Sequence, residues 1–218
     1  MRTMRAFPSV TSAVHSAVGL LALSTAIFLP IAPVFVSPAS ACAPAPMLAV
    51  DTPLDFTPSE LRLFKDPQTG KHYWYLTYEV VNNTGRDERF APRIELLIDD
   101  GQIVRQGDGV SSAVTRQLKA MLKDPLLQDQ FEVLGEVLQG KEHAKTGLVV
   151  FRADDLTPTE LTMFVQGLSR ETEKTQNPKT NETVTLRKTA RVDYLVAGEP
   201  PATATVTHPI VTREWIFR

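Results

Sequence analysis

The chain has 218 residues, of which 23 are basic and 25 acidic, giving a formal net charge of −2, and it carries one cysteine, Cys42. That balance offers no basic patch for nucleic acid or an anionic membrane surface, and a lone thiol excludes an intrachain disulfide. Stability has to come from apolar burial, for which a chain of this length is sufficient.

Residues 1–41 read as a secretory signal peptide. Arg2 and Arg5 form a basic start, an apolar run extends from Ala17 to Leu29, and Ala39-Ser40-Ala41 supplies the small residues of a cleavage site. Removing this segment, with its two arginines and no acid, leaves 177 residues at a formal charge of −4. Two other fates stay open: acylation of Cys42 as the mature N-terminus of a lipoprotein, or retention of the apolar stretch as an anchor. Pro30 and Pro33 speak against the anchor, because they interrupt a helix before the roughly 20 residues a span requires. Residues 42–53 then form a Pro-rich, extended leader.

From Leu54 the pattern is that of β structure. Leu61 and Leu63 alternate with polar neighbours, and Asp66-Pro67-Gln68-Thr69-Gly70 has turn chemistry. His72–Val81 is the clearest strand, with Trp74, Leu76, Tyr78 and Val80 on one face and Tyr73, Tyr75, Thr77 and Glu79 on the other. Asn82-Asn83-Thr84-Gly85 ends it in a turn. Arg93–Ile98 and Gln102–Gln106 form a hairpin about Asp99-Asp100-Gly101.

A helical insertion is expected over residues 111–140. Ser111 or Ser112 caps a first helix whose apolar positions are Val114, Leu118, Met121 and Leu122. Asp124-Pro125 opens a second, which Gly140 ends. On the second helix Leu127, Phe131, Leu134 and Leu138 make one stripe, and Leu126, Val133 and Val137 another. Strands resume at Leu148–Phe151, Leu161–Leu168, Thr183–Leu186 and Ala190–Val196. The polar stretch Arg170–Glu182 is a solvated loop or a long hairpin tip. After the break at Glu199-Pro200-Pro201, a closing strand places Val211, Arg213, Trp215 and Phe217 on one face.

Short strands at this spacing predict a mainly β chain, an antiparallel β-sandwich over residues 54–218 with an inserted helical hairpin. The segment Tyr73-Trp74-Tyr75-Leu76-Thr77-Tyr78-Glu79-Val80-Val81-Asn82-Asn83-Thr84-Gly85 resembles the aromatic strand and Asn-rich turn of immunoglobulin-like modules of exported bacterial proteins. The resemblance implies an immunoglobulin-like sandwich used for display or adhesion. The paired cysteines of antibody domains are missing, and the helical pair departs from the plain pattern.

Catalytic, cofactor and metal sites are not expected from these motifs. His72, His143 and His208 are scattered, with no spacing that puts two ligands on one face. Asp99-Asp100 and Asp154-Asp155 suit turns and supply too few oxygens for a calcium loop. Ser111 and Ser112 are accounted for by capping. The candidate binding surface comprises Tyr73 and Tyr75, with Trp215, for carbohydrate or peptide, and Val133 and Val137 as a docking stripe; core packing is the commoner use of such residues. The functional expectation is an exported, non-enzymatic binding or envelope-associated structural module. Its partner would be a protein or carbohydrate of the cell envelope, with membrane contact only through the signal or a lipid on Cys42. The rival is a hydrolase or carbohydrate-active enzyme assembled from distant residues such as His72, Asp108 and Glu142.

Overall fold

The aromatic and β-branched run of β3 (His72–Asn82) is the spine of the structure, a computed structural model that describes residues 51–99, 101–196 and 207–218. One edge of β3 pairs with β1 (Asp55–Pro58) and β2 (Leu61–Lys65), and the other pairs along its length with β9 (Gly140–Ala153). The two-residue strands β7 (Leu127–Gln128) and β13 (Thr207–His208) complete this six-stranded sheet, β7 running parallel to β9.

A second six-stranded sheet contains β5 (Arg93–Ile98), β6 (Gln102–Arg105), β10 (Leu161–Gln166), β11 (Thr172–Gln176), β12 (Thr183–Tyr194) and β14 (Ile210–Phe217), all antiparallel. The polar stretch after Arg170 therefore belongs to a β11–β12 hairpin, fully exposed along β11. Trp74, Leu76 and Val80 of the first sheet share one core with Ile94, Leu96 and Met163 of the second, the arrangement of a β-sandwich. The face assigned to Trp74 is the buried inner face, since its side chain is 0 % exposed.

The outer face of the first sheet is covered too. The helix α1 (Ser112–Leu122) lays Val114 and Leu118 on Tyr73, Tyr75, Leu148 and Val150. Its start follows the capping expectation: the Ser111 hydroxyl accepts from the Val114 N–H. It ends at Lys123, which turns left-handed at φ 54°.

The expected second helix does not form. Leu127 enters the small β7, Asp129–Val133 makes a turn, and β8 (Gly135–Val137) pairs with β4 (Glu88–Phe90). Asp124, the expected helix cap, holds a single turn instead, its Oδ1 accepting from Leu126 N, and Asp129 Oδ1 holds the next by accepting from Phe131 N and Glu132 N. The apolar residues also serve two different cores. Leu127 packs beneath α1, while Val133 and Val137 enter the sandwich interior. One helix face cannot supply both, and Gly135 at φ 123° breaks the helical path between them.

The Asn82 turn is present and is tied to β8: Asn82 Oδ1 accepts from Thr84 N, and its Nδ2 donates to Val137 O at 2.7 Å. Residues 1–41, Cys42 with most of its leader, Asp100, and the Glu199-Pro200-Pro201 break lie outside the described residues. Among the described residues, no helix is long and apolar enough to cross a membrane.

Candidate functional site

The side chains singled out in the sequence do not assemble into a surface. Tyr73 and Tyr75 are buried between the first sheet and α1, because the helix covers the face on which they stand. Trp215 lies on β14 of the other sheet, partly exposed, with the Lys188 ammonium 5.6 Å from its ring centre. Val133 and Val137 are buried as core residues, so they offer no docking stripe. The exposed apolar residues of this segment are instead Leu126 and Phe131, at 75 % and 72 %, with Leu134 and Leu138.

Nor do the residues of the rival enzyme converge. His72 pairs with Ala153 at one end of the β3–β9 ladder, and Glu142 sits at the other end of β9. At about 3.3 Å per strand residue they are roughly 35 Å apart. Asp108 is exposed on the loop after β6, and Ser111 is spent as a cap. His208 is buried against Trp74, with ring centres 5.1 Å apart. Among the described residues, no three His, Cys, Asp or Glu side chains are grouped to hold a metal ion.

What the fold does build is a cleft of about 380 Å³ between α1, the loop after β6 and the Asp129–Val133 turn. Its floor is apolar: Leu148 and Val150 of β9, flanked by Val110. These residues are in place because β9 alternates, turning Val149 and Phe151 inward and leaving Leu148 and Val150 for the outer face. The loop is fastened to this floor by Gly107 N donating to Val150 O at 3.0 Å and Gln106 Nε2 to Leu148 O at 3.4 Å.

The rim is polar and largely self-paired. Lys119 of α1 reaches Glu132 across the cleft at 2.6 Å, joining the helix to the turn. Glu132 Oε2 also accepts from Asp129 N at 2.8 Å. The Lys119 ammonium and that N–H together hold the Glu132 carboxyl below the usual carboxylate range. Arg116, one turn before Lys119, also lines the cleft and forms no ion pair or hydrogen bond with the described residues. Phe131 stands exposed at the lip. An apolar floor, a few oriented polar groups and this volume are the attributes of a small-molecule seat.

Sequence reasoning found the floor only as strand and the α1 wall only as an amphipathic helix. The turn that supplies Asp129, Phe131 and Glu132 was hidden by its resemblance to a helix. Comparison with protein-family models, characterised proteins and solved structures finds no match.

Proposed function

We propose that the chain is an exported, non-enzymatic binding module of the cell envelope, built as an immunoglobulin-like sandwich, with the cleft beside α1 as its ligand seat. The observation that carries this reading is the cleft itself, with Leu148, Val150 and Val110 at its base and a rim pre-organised by the Lys119–Glu132 pair. Export is supported by the basic, apolar and small-residue succession of residues 1–41, and it places the binding partner in the envelope. The residues named for the enzyme reading do not meet, since His72 and Glu142 stand at opposite ends of one strand pair.

Two measurements test the proposal. Mass spectrometry of the native protein should find a mature N-terminus at or within a few residues of Cys42, with a diacylglyceryl mass if Cys42 is lipidated; an intact Met1 refutes export. A small-molecule screen read by amide chemical shifts should give hits that move Val110, Leu148 and Val150. A screen whose hits all map elsewhere removes the cleft as the ligand seat.

A further inference from the structure

Resting on the reading of the cleft as a ligand seat, its charges point to the class of ligand. Four ionisable side chains line it: Arg116, Lys119, Asp129 and Glu132. Three are committed within the fold. Asp129 Oδ1 accepts from Phe131 N and Glu132 N at 2.8 and 2.9 Å, and Glu132 Oε2 accepts from Lys119 Nζ and Asp129 N at 2.6 and 2.8 Å. The Glu132 charge is balanced by Lys119, while Asp129 is held in the turn by two backbone donors. Arg116 remains, a five-donor fork on the same wall with no partner among the described residues.

We propose that the cleft binds a small organic acid, its carboxylate on the Arg116 guanidinium and its apolar body over Val110, Leu148 and Val150. A carboxylate satisfies a guanidinium through two parallel N–H donations, a pairing that an alcohol or amine cannot reproduce. The apolar body supplies what an exposed ion pair lacks. It excludes water from one side of the pair and is itself removed from solvent within the cleft. Cleft volume limits the body: about 380 Å³ lies at the low end of small-molecule sites, which suits a single-ring or short-chain acid. Gln130, whose amide lies over Gly107 at the same cleft, provides an adaptable second polar contact.

The experiment uses three probes of one shape, 4-phenylbutyrate, 4-phenylbutan-1-ol and 4-phenylbutylamine, titrated into the mature protein and followed by the amide shifts of Val110, Leu148 and Val150. The acid should bind about tenfold tighter than the alcohol, and the amine no tighter than the alcohol. In Arg116→Gln the acid should fall to the affinity of the alcohol, while the alcohol is unchanged. Because Arg116 is exposed and without a partner among the described residues, the variant should melt like the parent. Equal binding of all three probes, or an acid affinity that survives Arg116→Gln, overturns the assignment of ligand class and leaves the cleft a ligand seat. Binding of none of them at these residues overturns both.

Discussion

The Tyr78 ring lies where a Cβ on Gly147 would have to sit, and the two residues are direct partners across β3 and β9. A glycine in mid-strand gives up side-chain packing, and here the aromatic ring of its neighbour supplies it. Phe56 and Phe90 border the same ring, at centroid distances of 5.1 and 6.3 Å. Gly147→Ala should therefore displace Tyr78 and cost about 1–3 kcal/mol. In a Tyr78→Leu background the same change should cost clearly less, giving a double-mutant coupling that denaturant melts can resolve. Strict additivity would mean that the ring does not fill that space.

The buried Tyr78 hydroxyl has no hydrogen-bond partner among the described residues, and burial raises its pKa well above that of free tyrosine. Tyr78→Phe removes an unsatisfied polar group and keeps the ring. It should leave stability unchanged or raise it by up to about 1 kcal/mol. A loss greater than that would reveal a partner for the hydroxyl.

How much of this was legible depended on whether a segment serves one environment or two. In β3 every second residue faces the sandwich interior, so the alternation of Trp74, Leu76, Tyr78 and Val80 is written directly in the sequence. Thr77 and Glu79 on its other face are polar, but Tyr73 and Tyr75 there are buried by α1, a tertiary contact that alternation cannot show. Residues 124–139 were opaque for a different reason. Their leucines and valines imitate helical spacing, yet they divide between the cluster under α1, the interior and solvent. Asp124 and Asp129 suit a helix cap and a tight turn equally, because the same side-chain acceptor serves both. The cleft inherits that opacity, since one of its walls is the misread turn.

Glu95 tests the outer face of the second sheet. Its buried carboxylate receives Arg93 at 2.8 Å, Arg218 at 3.1 Å and Arg105 at 3.4 Å, and Arg218 also lies 4.2 Å over the Phe164 ring. Removing the hub should matter more than removing an outlying spoke. Glu95→Gln should cost about 1–3 kcal/mol, because three guanidinium groups lose a shared counter-charge. Arg93→Ala should cost under about 1 kcal/mol, because that side chain is mostly exposed and two arginines remain on Glu95. Thermal melts that reverse the order would show that the cluster is not organised around Glu95.

His208 makes stability depend on pH. Its Nδ1 lies 3.0 Å from the Leu195 carbonyl oxygen, while its buried Nε2 has no partner among the described residues. Burial holds the imidazole below the ordinary histidine value of about 6.5. The folded state therefore resists a proton that the unfolded chain accepts near that value. Stability from this residue is fully present above about pH 6.5 and is lost as pH falls through it toward the lower folded value, at no more than about 1.4 kcal/mol per pH unit. His208→Gln should flatten the difference between melts at pH 7 and pH 5.5. An unchanged pH dependence in that variant would assign the effect to other groups.

The course of the chain after α1 is tested by two neighbours. Val133 is 0 % exposed in the sandwich interior and Leu134 is 48 % exposed, although both lie on apolar stripes of a helical projection. Val133→Glu places an unpaired carboxylate in the core beside Phe90 and Val137, where it must either stay protonated or unfold the surroundings. A loss of more than about 4 kcal/mol is expected, enough to unfold a marginal domain. Leu134→Glu points into water and should change stability by less than about 1 kcal/mol. Circular dichroism of the Leu134 variant should still show the β signal of the parent and only the short α1 contribution. If Leu134→Glu were the damaging change and Val133→Glu the silent one, the segment would have the opposite facing, and the turn that forms one wall of the cleft would not exist as described.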